Sequence, residues 1–291
     1  MPKTISQGFN KLRENLEITY LQETTVSTRQ NNVREAVEKE IIVLNSFLTG
    51  SYKRSTMIAP LSDADIDIFV VLHPQYYSNI NSPSYLLDKV KFILKKTYPN
   101  TPKISRNGQA VTINFSEFQV DVVPAFCRQG GGYLIPNSVL VEWISTDPKK
   151  HIEIWSAANT SHNYKLVPLI KMIKGWNKKH GRLLNSFHLE NLVIQILNNV
   201  QISDFPSGVR YIFDKARERV KLPVIDPAGY GGNIAAYLNK QNQIDHVVNK
   251  FETAYTAARQ AEILAEYGKI EEAYKQWRII FDNYFPTYGI S

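Results

Sequence analysis

Carboxylates spaced two apart at the start of an apolar run are the most informative feature of the sequence. In residues 49–72, TGSYKRSTMIAPLSDADIDIFVVL, the acids Asp63, Asp65 and Asp67 lead into Ile68-Phe69-Val70-Val71-Leu72. On a strand, residues two apart point to the same face, so these acids can present their oxygens together. Like charges at that spacing repel unless something cationic neutralises them. A hard divalent ion such as Mg²⁺ prefers oxygen ligands and is the natural partner. Gly50-Ser51 supplies the complement: glycine lets a backbone approach a ligand closely, and exposed N–H groups with a hydroxyl hold phosphate oxygens. A further carboxylate, Asp121, stands among apolar residues in Phe118-Gln119-Val120-Asp121-Val122-Val123, where an acid is costly to bury without a partner. A phosphate cradle beside metal carboxylates reads as phosphoryl or nucleotidyl transfer. Each part has an ordinary reading when taken singly: Gly-Ser as a helix stop, Asp-Ala-Asp as a solvated turn, Asp121 as an edge-strand surface residue. It is their order, with strand texture behind both acidic elements, that points to chemistry.

The elements that must position these residues follow from periodicity. The first fifty residues read as helix, with Leu12, Leu16, Val33, Ala36, Val37, Ile41, Leu44 and Leu48 near helical spacing. Thr25 to Thr28 is a poor helix former and a place for an interruption, and Gly50 is expected to stop the helix. Ile66 to Leu72 reads as a strand, Tyr85 to Lys96 as an amphipathic helix, and Ala110–Asn114 and Phe118–Val123 as strands around a turn at Ser116-Glu117. After Pro148 the texture is helical: roughly 151–160, 165–179, 187–200, 208–220, 232–238, and one long segment over 245–283. Thr146-Asp147-Pro148 is a helix-start signal. The expectation is an α+β fold: a mixed sheet flanked by helices, with a long N-terminal helix, over 1–148, and a helical bundle over 149–291. A cleft between the two lobes would be a favoured place for a ligand.

These residues resemble a family. Gly50-Ser51, Asp63-Ala64-Asp65 opening a strand, and Val120-Asp121-Val122-Val123-Pro124 look like the polymerase-β-type nucleotidyltransferases. Within them the chain is similar to the cyclic GMP-AMP synthase-like group, oligoadenylate synthases and archaeal CCA-adding enzymes. The family spacing from loop serine to first acid matches Ser51 to Asp63. That favours Asp63 and Asp65 as the metal pair, with Asp67 as the alternative or as a residue behind them. The segments Gly132-Tyr133-Leu134-Ile135-Pro136, Trp143, Thr146-Asp147-Pro148 and His151, then Leu169 to Trp176 and Asn185-Ser186-Phe187-His188-Leu189-Glu190, resemble the bacterial cyclic-oligonucleotide synthases of anti-phage signalling, the CD-NTases. Trp277, Phe281 and Phe285-Pro286 fit that family's ending. The resemblance implies Asp63, Asp65 and Asp121 as ligands of two Mg²⁺ ions, for which Mn²⁺ can substitute. It implies Gly50, Ser51, Lys174 and Ser186 on the triphosphate, with Lys171 behind Lys174, and Phe187 stacked on the donor base.

Composition bounds the rest. The chain has 291 residues, 43% hydrophobic and 21% charged, ordinary for a folded protein of about two domains. A net charge of +7 suits phosphate ligands without requiring them. The longest apolar runs are too short to cross a bilayer. The first eighteen residues have no apolar signal-peptide core, and Cys127 is the one cysteine, so a cytoplasmic protein without disulfides or Cys-rich zinc modules is expected. Gly130-Gly131-Gly132 is no P-loop, since no Lys-Ser/Thr follows. His151, His162 and His188 show no ligand spacing and read as surface or hydrogen-bonded residues. The lysines of 165–179 read mostly as a solvated face. The expected activity is synthesis of a cyclic di- or trinucleotide from NTPs (ATP, GTP, UTP or CTP), by a monomer with no membrane or DNA requirement, whose product acts on a separate effector. A template-independent RNA nucleotidyltransferase is the alternative. A non-catalytic nucleotide sensor or toxin–antitoxin partner is a third, which three retained acids argue against. The C-terminal Tyr288-Gly289-Ile290-Ser291 reads as a frayed end or a partner handle.

Overall fold

The computed structural model describes residues 2–77, 82–101 and 103–289, with the side chains of Tyr20 and Leu21 left aside; Ile290 and Ser291 of the C-terminal segment singled out above lie outside the described residues. Two compact units form: one from Ile18–Trp155 with Pro227–Gly231, the other from Met1–Glu17, Ser156–Asp226 and Gly232–Ser291. The first helix, α1 (Ile5–Leu16), therefore belongs with the C-terminal helices, not with the sheet.

The sheet unit contains α2 (Tyr20–Glu38), β1 (Val43–Leu48), α3 (Gly50–Lys53), β2 (Asp65–Leu72), α4 (Pro83–Thr97), β3 (Lys103–Asn107), β4 (Ala110–Asn114), β5 (Gln119–Cys127), β6 (Tyr133–Asn137) and β7 (Glu142–Thr146). The strands lie in the order β1-β2-β5-β4-β3, and β5 runs on to pair with β6, which pairs with β7. Only β2 and β5 are parallel among these pairs. Alternation sorts their side chains: Ile66, Ile68, Val70, Leu72, Val120 and Val122 join residues of α2 and α4 in the main core. Phe69, Val71, Val123 and Ala125 form a smaller cluster on the opposite face, where Phe47, Phe69 and Tyr133 pack ring to ring.

Several expectations need correcting. Residues 43–48 are a strand, not the end of a helix, because backbone pairing with β2 (Phe47 opposite Phe69, Leu48 opposite Ile68) overrides a helical spacing shared by few residues. Gly50 accordingly begins a short helix where it was expected to end one. The N-terminal helix does break, but at residues 17–19; Thr25 to Thr28 sit inside α2, where the Thr28 hydroxyl bonds back to Thr24 O at 3.1 Å. Both helices open with capping boxes, Thr4 with Gln7 for α1 and Thr19 with Gln22 for α2. Strands β3, β6 and β7 were not anticipated.

The helical unit takes the last residues of α5 (Pro148–Ser161), then α6 (Leu166–Lys179), α7 (Ser186–Leu197), α8 (Phe205–Arg219), α9 (Gln241–Glu266) and α10 (Ile270–Phe281). The long C-terminal segment is two helices, turned at Gly268 with φ +74°. Residues 232–238 are a loop of turns tied by a bridge from Ile225 to Asn233. Among the described residues no helix is long and apolar enough to cross a membrane. Phe9 of α1 is caged by Trp277, Phe285 and Phe281, with ring centroids 4.8, 5.3 and 6.3 Å away, and Tyr274 Oη donates to Thr4 O at 2.6 Å. Phe9 is fully buried, so Phe9→Ala should cost about 3–5 kcal/mol in urea denaturation. It should also expose α1 to limited proteolysis. A loss within ~0.5 kcal/mol would mean that α1 is peripheral to the unit.

Candidate functional site

In the sheet unit the register between β2 and β5 brings the acids together. Asp65 stands opposite Gln119 and Asp67 opposite Asp121. Ile66, Ile68, Val120 and Val122 are buried on the helix-covered face, so Asp65, Asp67 and Asp121 project from the other. Asp65 is exposed, and Asp67 and Asp121 are half-buried. The alternation expected of three acids holds for Asp65 and Asp67 and not for Asp63. Asp63 closes a 3-10 turn, Leu61–Asp63, with its N–H donated to Pro60 O at 3.2 Å, before the strand begins.

Asp121 is held from a third strand. The Thr112 hydroxyl of β4 donates to Asp121 Oδ1 at 2.5 Å, across the pair Thr112–Asp121 in the antiparallel ladder. Burial pushes the Asp121 carboxyl above its ordinary pKa; the Thr112 hydrogen bond opposes this, and the charge of Asp65 adds to the rise. Sequence reasoning missed Thr112, although the expected turn at Ser116-Glu117 pairs residue 112 with 121 by simple reflection.

Gly50 lies one residue beyond β1, after Thr49, and has φ +63°. A Cβ at this position would lie 1.7 Å from Asp67 Oδ2, so a side chain here would displace the Asp67 carboxylate as well as strain the backbone. Thr49 N–H donates to Asp67 O at 2.9 Å, and Ser51 O accepts from the N–H groups of Thr56 and Met57 at 2.9 and 3.1 Å. The loop bearing Gly50 and Ser51 is thus fastened to the strand bearing Asp67. Among the described residues no three His, Cys, Asp or Glu side chains are gathered closely enough to hold a metal as they stand. The donor set itself suits a hard divalent cation. The acids share one face, two of them occupy paired positions on strands about 4.8 Å apart, and a cation would lower the raised pKa of Asp121.

The remaining expected residues lie in the helical unit. Lys171 and Lys174, the two lysines of 165–179 set apart from the solvated face, are buried. Lys174 Nζ donates to Glu190 Oε1 of α7 at 2.8 Å, with both side chains more than nine-tenths buried, and Lys171 is ion-paired with Glu17 just beyond α1. Neither carboxylate had been expected to matter. Ser186 is exposed at the first position of α7, and Phe187 beside it is half-buried. His188 is buried, its pKa pushed down to about 4 by burial and by the charge of Arg219, so it is neutral at pH 7. His151 is buried as well, while His162 is half-buried and bonded to Ala158 O and Leu197 O. Tyr237, from the loop before α9, meets both Asn185 N–H and His188 Nδ1 at 2.9 Å; no local pattern in the sequence marks it.

Comparison with known proteins follows the same lines. The Second Messenger Oligonucleotide or Dinucleotide Synthetase domain matches residues 3–159. A cyclic AMP-AMP-AMP synthase of Acinetobacter sp. is 27% identical, over 97% of this chain and 86% of that protein. A cyclic AMP-AMP-GMP synthase of Enterobacter hormaechei is 31% identical, over 97% of this chain and 92% of that protein. In fold, the chain is similar to E. coli CdnC with ATP, at TM-score 0.78 and 16% identity over 97% and 98% of the two chains. It is equally similar to the Vibrio cholerae cyclic AMP-GMP synthase DncV with the linear intermediate pppA(3′,5′)pG, at TM-score 0.78 and 14% identity over 99% and 98%.

Two measurements test this geometry. Because folding raises the Asp121 pKa, the folded chain binds this proton more tightly than the unfolded chain. The stability due to this group is greatest in acid and falls as pH rises from the ordinary carboxylate range through the raised value. In EDTA, Asp121→Asn should therefore melt above the wild type at pH 7, and the gap should close as pH drops below about 4. A gap that is absent at pH 7, or that widens in acid, contradicts the assignment. Separately, Glu190→Leu leaves the Lys174 ammonium buried without its carboxylate and should cost about 3–5 kcal/mol, most of it regained by adding Lys174→Met. Equal losses in the single and double variants would deny the coupling.

Proposed function

The chain belongs to the Second Messenger Oligonucleotide or Dinucleotide Synthetase family, and from that premise we propose how this nucleotidyltransferase joins NTPs into a cyclic di- or trinucleotide. The observation that carries the proposal is the β2–β5 register, which sets Asp65, Asp67 and Asp121 on one face of the sheet. Of the two readings of the metal pair, this register supports Asp65 with Asp67, and Asp63 is the alternative that its 3-10 turn disfavours. With Asp121 they would hold two Mg²⁺ ions. Bound there, the ions would activate the attacking ribose hydroxyl and stabilise charge on the triphosphate.

The protein's own groups do the rest. Asp121, paired with Asp67 across the two strands, takes the proton from the acceptor 2′- or 3′-hydroxyl. The freed oxygen forms a bond to the donor α-phosphorus as the bond to pyrophosphate breaks, and pyrophosphate leaves with the electron pair. A second such step on the linear product closes the ring. Gly50 and Ser51 hold phosphate oxygens through backbone N–H groups and hydroxyl. In the helical unit, Ser186 and Lys174 are assigned to the triphosphate and Phe187 to the base. Lys174 and Lys171 must then share their ammonium protons between phosphate and the carboxylates of Glu190 and Glu17, which three N–H donors per lysine allow. The Acinetobacter and Enterobacter relatives are named as synthases of trinucleotides containing AMP, which favours ATP as a substrate and a ring of three. We read the chain as a cytoplasmic monomer whose product signals to a separate effector in anti-phage defence.

The test is incubation with all four NTPs and Mg²⁺ or Mn²⁺, phosphatase digestion and mass spectrometry. A phosphatase-resistant product with the mass of a cyclic oligonucleotide is expected. Asp65→Asn, Asp67→Asn and Asp121→Asn should each lose about 10²-fold or more, and Asp63→Asn should stay within a few-fold of wild type. Activity that survives Asp67→Asn but not Asp63→Asn would transfer the metal pair to Asp63 and Asp65. Elongation of added tRNA with no cyclic product would replace the proposed reaction with RNA synthesis.

A further inference from the structure

The start of α7 carries the two residues assigned to the nucleotide, yet its own sequence provides no cap. Asn185 is the N-cap residue, and its side chain makes no capping hydrogen bond. In an ordinary capping box the third helical residue reaches back to the N-cap N–H. Here that residue is His188, whose ring does not reach the N–H itself. Tyr237, from the loop between α8 and α9, fills the gap. Its hydroxyl accepts the Asn185 N–H at 2.9 Å and lies 2.9 Å from His188 Nδ1, with the two rings edge to face at 5.7 Å. A phenolic hydroxyl has one proton and two lone pairs, enough to serve both partners.

Three facts make this more than a passing contact. His188 is 1% exposed, and among the described residues its Nε2 has no hydrogen-bond partner, so the bond to Tyr237 is what the structure offers the ring. The latch brackets Ser186 and Phe187, with one bonded residue on each side of the pair. Tyr237 itself is 38% exposed, so burial of its ring does not account for the position; its hydroxyl end is what is engaged.

We propose that Tyr237 is a positioning residue for nucleotide binding, closing a capping box through its hydroxyl and thereby fixing the first turn of α7 that presents Ser186 and Phe187. This rests on the assignment of Ser186 and Phe187 to the nucleotide made above. Tyr237 need not touch substrate. It acts by removing freedom from the turn that does, so its effect belongs on KM and not on the chemical step.

The experiment is Tyr237→Phe, which keeps the ring and deletes both hydrogen bonds. KM for ATP, and the Kd of a non-hydrolysable ATP analogue, should rise about three- to tenfold, with kcat within about twofold and faster amide hydrogen exchange over residues 185–190. His188→Leu, which fills the buried space but leaves the Asn185 N–H capped, should give a smaller rise. Unchanged KM, Kd and exchange in Tyr237→Phe would overturn the proposal, as would a fall in kcat at constant KM, the mark of a merely structural role. If the wild type neither binds the analogue nor turns over NTPs, the nucleotide assignment is what fails; the exchange measurement still decides whether Tyr237 orders the turn.

Discussion

The parallel pairing of β2 with β5 is the constraint on which the rest of the sheet unit depends. It sets Asp67 beside Asp121, residues far apart in the chain, and does so because the alternate residues Ile66, Ile68, Val120 and Val122 are committed to the main core. A slip of one residue would turn those four side chains to the opposite face and drive the acids into the hydrophobic interior. The apolar face therefore specifies the position of the polar one. Parallel strands also need a crossover between them, which is the work of α4, β3 and β4. The crossover delivers Thr112 to the far side of β5, where it meets Asp121.

Holding these acids together opposes folding in the absence of a cation. Asp121 is half-buried beside the charge of Asp65, and the Thr112 hydrogen bond pulls its pKa back down. The loop at Gly50 adds a second constraint, since the Asp67 carboxylate fills the space a Cβ would need. Both features make sense if the face is shaped for a ligand that carries charge of its own: a divalent cation compensates the acids, and the glycine leaves room for close approach to the backbone.

Which parts could be read from the sequence follows from the range of the interactions involved. The strand from Ile66 to Leu72, the helix at 85–96 and the hairpin strands at 110–114 and 118–123 were legible because alternation and amphipathicity are local. β1 was not, since Val43 to Leu48 makes sense as a strand only beside β2. The carboxylates were legible by type and order, but counting positions from Ser51 to Asp63 could not show that the chain makes a 3-10 turn before β2 begins. Lys171 and Lys174 could be set apart from the other lysines of α6, but their partners could not be read, because Glu17 and Glu190 come from other segments.

One organising device recurs in both units. Thr112 holds Asp121, Glu190 holds Lys174, and the Tyr237 hydroxyl holds His188 and Asn185. In each case the residue assigned to chemistry, or the turn carrying it, is oriented by a partner from another element. The partners differ in how much they are asked to do. A hydroxyl donated to a carboxylate trims a charge already tolerated, whereas a carboxylate paired with a buried ammonium is required for that charge to be there at all. Substitutions at Thr112 and Tyr237 therefore adjust the site, while substitutions at Glu190 threaten the unit that contains it. It follows that functional variation is open to the hydroxyl partners and closed to the ionic one, although all three stand within hydrogen-bond distance of the groups they serve.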